Sequence, residues 1–178
     1  MATPWVAVLL VPVLILAAAQ DVRTRRIPNR LVIVGAAAAV AAHVLAGGGP
    51  GALTSALGAA VGLAITLPFF AVRALGAGDV KLMAVVGAFV GPVQVLGAAL
   101  LTMLAGGVLS LAAAVLSGSL RQVSRNLHLM LMAAVAGKTG RPATAGIGTT
   151  GRLPYAVAIA VGTCLQLWLA ARGGWFFG

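Results

Sequence analysis

The chain has 178 residues, of which 61% are apolar and only 8% charged. A soluble domain carries about 25% charged residues, so this composition cannot clothe a water-exposed surface and reads as a polytopic membrane protein. Twelve Lys and Arg stand against two acids, Asp21 and Asp79, for a net charge of +10; with no basic segment interleaved with aromatics, that balance points to anionic lipid head groups and excludes nucleic acid as a partner.

The first apolar run covers residues 2–19 and carries no charge. It lacks the positive start of a signal peptide, so a retained first helix is expected. A basic stretch with Asp21, Arg23, Arg25, Arg26 and Arg30 follows. Further apolar runs predict helices over about 31–46, 52–72, 79–91, 93–117 and 153–172. Glycines 47–49 with Pro50 and Gly51 mark the turn between the second and third runs. The fourth run is short for a bilayer about 30 Å thick. Ala, Leu and Gly dominate without period-two alternation, which disfavours a β-barrel. Helices satisfy their backbone groups internally, as hydrocarbon requires. The expected fold is therefore all-α, a single integral membrane domain over 1–178 with about six transmembrane helices.

Between the fifth and sixth runs the pattern changes. Leu120, Val123, Leu127, Met130, Leu131 and Ala134 share one helical face, and Arg121, Arg125 and His128 share another. An amphipathic helix lying in the interface over about 120–136 is expected. Residues 137–151 are rich in Gly and Thr. Gly137, Lys138 and Thr139 fit the end of a phosphate-binding loop, but Met132 stands where its first glycine belongs.

Orientation follows from the cations. Alternating the loops puts eleven of the twelve basic residues on one side, and only Arg172 on the other. That side is expected to be cytoplasmic, with both termini outside. Cys164 is the only cysteine. It allows neither an intrachain disulfide nor a CxxC zinc module. His43 and His128 have no metal-ligand spacing, so no metal and no cofactor is expected.

The two acids fall at the end of the first helix and the start of the fourth. Two crossings separate them, so they share a membrane face whatever the absolute orientation. Carboxylates at one depth can meet and share a proton, because like charges a few ångströms apart cannot both ionise. One can then activate water while the other polarises a peptide carbonyl. A proton relay in a small transporter uses the same pair, and a scaffold of a pilus or secretion system with two separate helix-end aspartates needs neither as an acid or base.

Their contexts narrow the choice. Asp79 lies in Gly76-Ala-Gly-Asp-Val-Lys-Leu82, a GxGD motif followed by Lys81. Asp21 precedes Ile27, Pro28 and Asn29 in an Asp-x5-Ile-Pro-Asn pattern. Together these motifs resemble the prepilin peptidases, or type IV leader peptidases, a family of intramembrane aspartic proteases. The resemblance implies that Asp21 and Asp79 are catalytic, that Gly76, Gly78, Lys81, Ile27, Pro28 and Asn29 support the motifs, and that Pro154 and Tyr155 match a Pro-aromatic element at the last helix. It implies cleavage of basic leaders from type IV or Flp-like prepilins, whose N-terminal helix is apolar, at the cytoplasmic face of the cell membrane. The chain is similar to the short members of the family. It has one cysteine and no room for the paired-cysteine domain of the longer members, so N-methyltransferase activity is not expected.

Overall fold

The computed structural model describes residues 4–72, 74–118 and 154–173. Those residues form five helices and no strand: α1 (Pro4–Thr24), α2 (Asn29–Ala71), α3 (Ala77–Val90), α4 (Gln94–Leu116) and α5 (Tyr155–Ala171). Helices α1, α2 and α4 are long and apolar enough to cross a membrane, and α5 is apolar but shorter. The interfacial helix expected over 120–136 lies outside the described residues. The chain divides into two compact units, Met1–Gly106 with Pro154–Gly178, and Gly107–Leu153. The described part of the second unit is the end of α4 and a turn at Gly118. All that follows concerns the first.

Two helices expected over 31–46 and 52–72 emerge as one run of 43 residues with a single non-helical position, Gly48 (φ 59°, ψ −138°). That conformation suits glycine, which has no Cβ to clash. One residue, rather than the five-residue turn expected, is enough to reverse the chain. A straight helix would hold Gly35 and Gly62 about 40 Å apart. Yet a Cβ on Gly35 would touch the Val85 side chain, and one on Gly62 would meet the Met83 backbone. Both residues therefore lie against the same turn of α3, and α2 folds back at Gly48 into two arms, 29–47 and 49–71. Gly51 accordingly sits hard against the His43 carbonyl.

Both arms pack on α3, the most enclosed helix. Val80, Leu82, Met83, Val85, Val86, Gly87, Ala88 and Phe89 are all buried among its 14 residues. From Leu82 to Val90 its sequence is apolar all round, as a central helix requires. The close approach of the second arm depends on Gly58 and Gly87, where a Cβ on either would collide with the carbonyl of the other. Such small-residue contacts allow dispersion forces to bind helices where lipid supplies no hydrophobic drive. α3 ends at Gly91 (φ 85°), just before Pro92.

α1 runs antiparallel to the first arm. Val13 meets Gly35, and the Trp5 ring packs edge-on against His43 with centroids 5.0 Å apart. Sixteen residues of helix, about 24 Å, then separate this end of α1 from Asp21. α1 also outruns the expected boundary at residue 19, continuing to Thr24. Thr24 Oγ1 donates to the Gln20 carbonyl, and Arg23 places a cation in the last turn, where the helix dipole favours one. The helix stops at Arg25, whose φ of 53° breaks the helical path. This extension puts Asp21 inside α1 instead of after it. Val6, Leu10, Leu14 and Ala17 form the buried stripe of α1, and Asp21 is the next member of that stripe.

Replacing Gly87 with Leu forces a side chain into the Gly58 backbone. Overpacking of this kind costs about 1–3 kcal/mol or more. A clear drop in the thermal midpoint of the purified protein in detergent is expected, whereas Leu100→Ala on the exposed side of α4 leaves it nearly unchanged.

Candidate active site

Three backbone segments meet around the two aspartates. The first is the end of α1 with the extended stretch that follows it. The second is the turn that opens α3, and the third is the first turn of α5.

Asp21 is buried, with 8% of its surface exposed. Its Oδ2 accepts the backbone N–H of Ala156 at 3.0 Å. Ala156 lies in the first turn of α5, where backbone donors have no partner within the helix. The carboxylate therefore satisfies an orphan donor, and the positive end of the α5 dipole stabilises its charge. A buried carboxylate without such a donor would be costly.

Asp79 occupies the first turn of α3. Its Oδ2 accepts the Gly76 N–H at 3.0 Å. Gly76 has no side chain, so only this half of a capping box can form. A Cβ on Gly76 would lie 3.0 Å from the same carboxylate oxygen, so glycine leaves the approach open. Tyr155, the first residue of α5, lies within coulombic reach of Asp79. Its ring rests on Gly106 of α4, where a Cβ would come within 2.7 Å of the ring. Of two adjacent residues of α5, Ala156 thus bonds Asp21, and Tyr155 is near enough to Asp79 to feel its charge.

The two sequence motifs also meet each other. Ile27 packs directly over Gly78, where a Cβ would lie 3.2 Å from Ile27 Cβ. Lys81 Nζ donates to Asn29 Oδ1 at 3.0 Å. Pro28 precedes α2 with extended backbone, and its carbonyl accepts the Leu31 N–H at 3.1 Å. Pro154 stands just before α5, and its carbonyl accepts the Val157 N–H at 3.2 Å. Every residue singled out from the motifs therefore belongs to one of these three segments. His43 does not, being at the far end of the first arm. Among the described residues, no group of three His, Cys, Asp or Glu comes together as a metal would need.

The model of the type IV leader peptidase family matches residues 8–111. The chain belongs to the type IV leader peptidase family. The matched region contains Asp21, the Ile27–Asn29 segment and the GxGD motif, and it stops before α5. No curated protein and no solved structure matches the chain. A leader peptidase family and apolar helices of spanning length mark this as a membrane peptidase.

Two contributors escaped the reading of motifs. Ala156 acts through its backbone N–H, which any residue would supply, so its side chain carries no signal. Gly106 is visible in sequence as a helix glycine, but nothing there reveals that Tyr155 lies on it. In this leader peptidase family member, Asp21→Asn keeps an acceptor for the Ala156 N–H, and its thermal stability is expected to stay near wild type. Asp21→Ala leaves that donor unpaired and should lower stability by about 1.5–3 kcal/mol, the worth of a hydrogen bond to a charged group. Denaturation of the two variants in detergent checks the difference.

Proposed function

We propose that the protein is an intramembrane aspartic endopeptidase that removes basic leaders from type IV or Flp-like prepilins. The observation that carries this reading is the first turn of α5, which reaches the surroundings of both Asp21 and Asp79. Two carboxylates gathered at one place can divide the work of hydrolysis. The ionised partner takes a proton from water as the water oxygen attacks the scissile carbonyl. The protonated partner hydrogen-bonds to that carbonyl oxygen as its charge builds. Collapse breaks the C–N bond, and the leaving amine takes up a proton from the dyad. The two carboxyls titrate as a pair, so the acid and base roles belong to the dyad.

The supporting residues have assignable tasks in this scheme. Gly76 and Gly78 keep Cβ atoms out of the approach to Asp79 and Ile27. Lys81 and Asn29 tie α3 to the start of α2. Pro154 and Tyr155 set the entry of α5 and border the space a substrate would use. Alternating the apolar runs assigns eleven of the twelve basic residues in the sequence to the same side as Asp21 and Asp79, which supports a cytoplasmic site in the cell membrane with both termini outside. There the six apolar segments would each cross once, the two arms of α2 counting separately. Cleavage alone is the proposed activity, without N-methylation. A prepilin would lay its apolar N-terminal helix against the bundle, with its leader at the dyad.

The test is cleavage of a prepilin with a basic leader by purified enzyme in liposomes. Asp21→Asn and Asp79→Asn should each reduce processing by at least about a hundredfold, the lower range for loss of general acid–base catalysis. Normal processing by either variant would rule out the dyad.

A further inference from the structure

Among the described residues, five buried side-chain polar atoms have no hydrogen-bond partner. Four of them belong to three residues: Thr102 of α4, and Thr163 and Gln166 of α5. Each of these residues has at most 2% of its surface exposed. They come together where α4 packs on α5. Gly162 lets the two helices meet there, since a Cβ on it would lie 2.7 Å from Thr102 Oγ1. Thr163 is the next residue along α5. Gln166 stands one turn further on. A helical side chain leans towards its own N-terminus, over the i−3 and i−4 positions. For Gln166 these are Thr163 and Gly162, so its amide leans over the place where Thr102 meets α5.

The cluster lies deep in the bundle. Gln166 is ten residues beyond Ala156, about 15 Å along α5 from the Asp21 end. Unpaired polar groups are costly in such surroundings. Yet two hydroxyls and an amide gathered within about one turn make no bond to one another. Polar groups set close but not paired are what a bridging water joins.

The chemistry of the orphan atoms selects the ligand. Gln166 Nε2 is a donor and Gln166 Oε1 an acceptor, and each threonine hydroxyl is both. A cation would be repelled by the amide donor and would find no counter-charge, because the two acids of the chain stand at the other end of α5 or beyond it. An anion would be repelled by the amide oxygen. A small neutral molecule that both donates and accepts satisfies every atom. A buried water makes about three hydrogen bonds, which two hydroxyls and an amide supply.

We propose that Thr102, Thr163 and Gln166 form a binding site for water inside the bundle, where bound water bridges the hydroxyls to the amide and joins α4 to α5. The bridge braces the helix whose first turn bonds Asp21. It is independent of the proteolytic reading and is measured without any substrate.

Solid-state NMR of the full chain in bilayers of deuterated lipid tests the site, by magnetisation transfer from water protons to nitrogen-labelled Gln and Leu. The Gln166 side-chain amide should receive transfer as the exposed Gln20 does. The backbone amide of Leu165, an exposed residue on the same turn, should receive none, since lipid covers that side. Combining Thr102→Val with Thr163→Val keeps the side-chain shapes while removing the hydroxyls, and the transfer at Gln166 should be lost. No transfer to Gln166 in wild type would overturn the proposal, because the polar groups would then pair directly or stay dry. Equal transfer to Leu165, or unchanged transfer in the folded double variant, would overturn it as well.

Discussion

Ile27 lies flat on Gly78 because that position has no side chain. This contact joins the stretch after α1, which follows Asp21, to the turn that opens α3, which carries Asp79. A methyl group on Gly78 would come within 3.2–3.4 Å of three Ile27 carbons. The Ile27 side chain would then have to give by a few tenths of an ångström. The glycines of the GxGD motif therefore have different jobs. Gly78 admits a neighbouring chain, while Gly76 offers its N–H to Asp79 and keeps the carboxylate's side clear.

The remaining helices make sense as support for that junction. α3 holds Asp79 at its start, and it is held in turn by the second arm of α2 through backbone contacts at Gly58 and Gly62 and by the first arm through Gly35 against Val85. α1 presents Asp21 at the end of its buried stripe. α5 closes the arrangement with two consecutive residues, the Ala156 N–H bonded to Asp21 and the Tyr155 ring resting on Gly106. Carboxylates in an apolar bundle are expensive, and Asp21 is buried and Asp79 half-buried. Each here accepts a backbone N–H at a helix start, which offsets part of that cost.

Much of this was legible in the sequence because scarcity made it so. With only two acids in the chain, the motifs around Asp21 and Asp79 could be found without comparison. Glycine and proline also marked the ends of helices truthfully, at Gly48 and at Gly91 with Pro92. Other features have no local signature. The continuation of α1 to Thr24 depends on a side-chain bond to Gln20 and on packing of Asp21, neither of which hydropathy can detect. The fold-back of α2 at one residue was hidden by five residues that all favour turns. The pairing of Lys81 with Asn29, 52 residues away, is a product of topology. Backbone donors such as the Ala156 N–H are invisible in any sequence.

The junction can be tested directly by cross-linking. With Cys164 replaced by Ser, Ile27→Cys and Gly78→Cys would place two Cβ atoms at close to the separation a disulfide needs, about 3.5–4.5 Å. Mild oxidation in membranes should link this pair nearly completely, and a control pairing Ile27→Cys with His43→Cys should stay unlinked. A cross-link no more efficient than the control would contradict the meeting of the two motifs, and with it the gathering of Asp21 and Asp79 into one site.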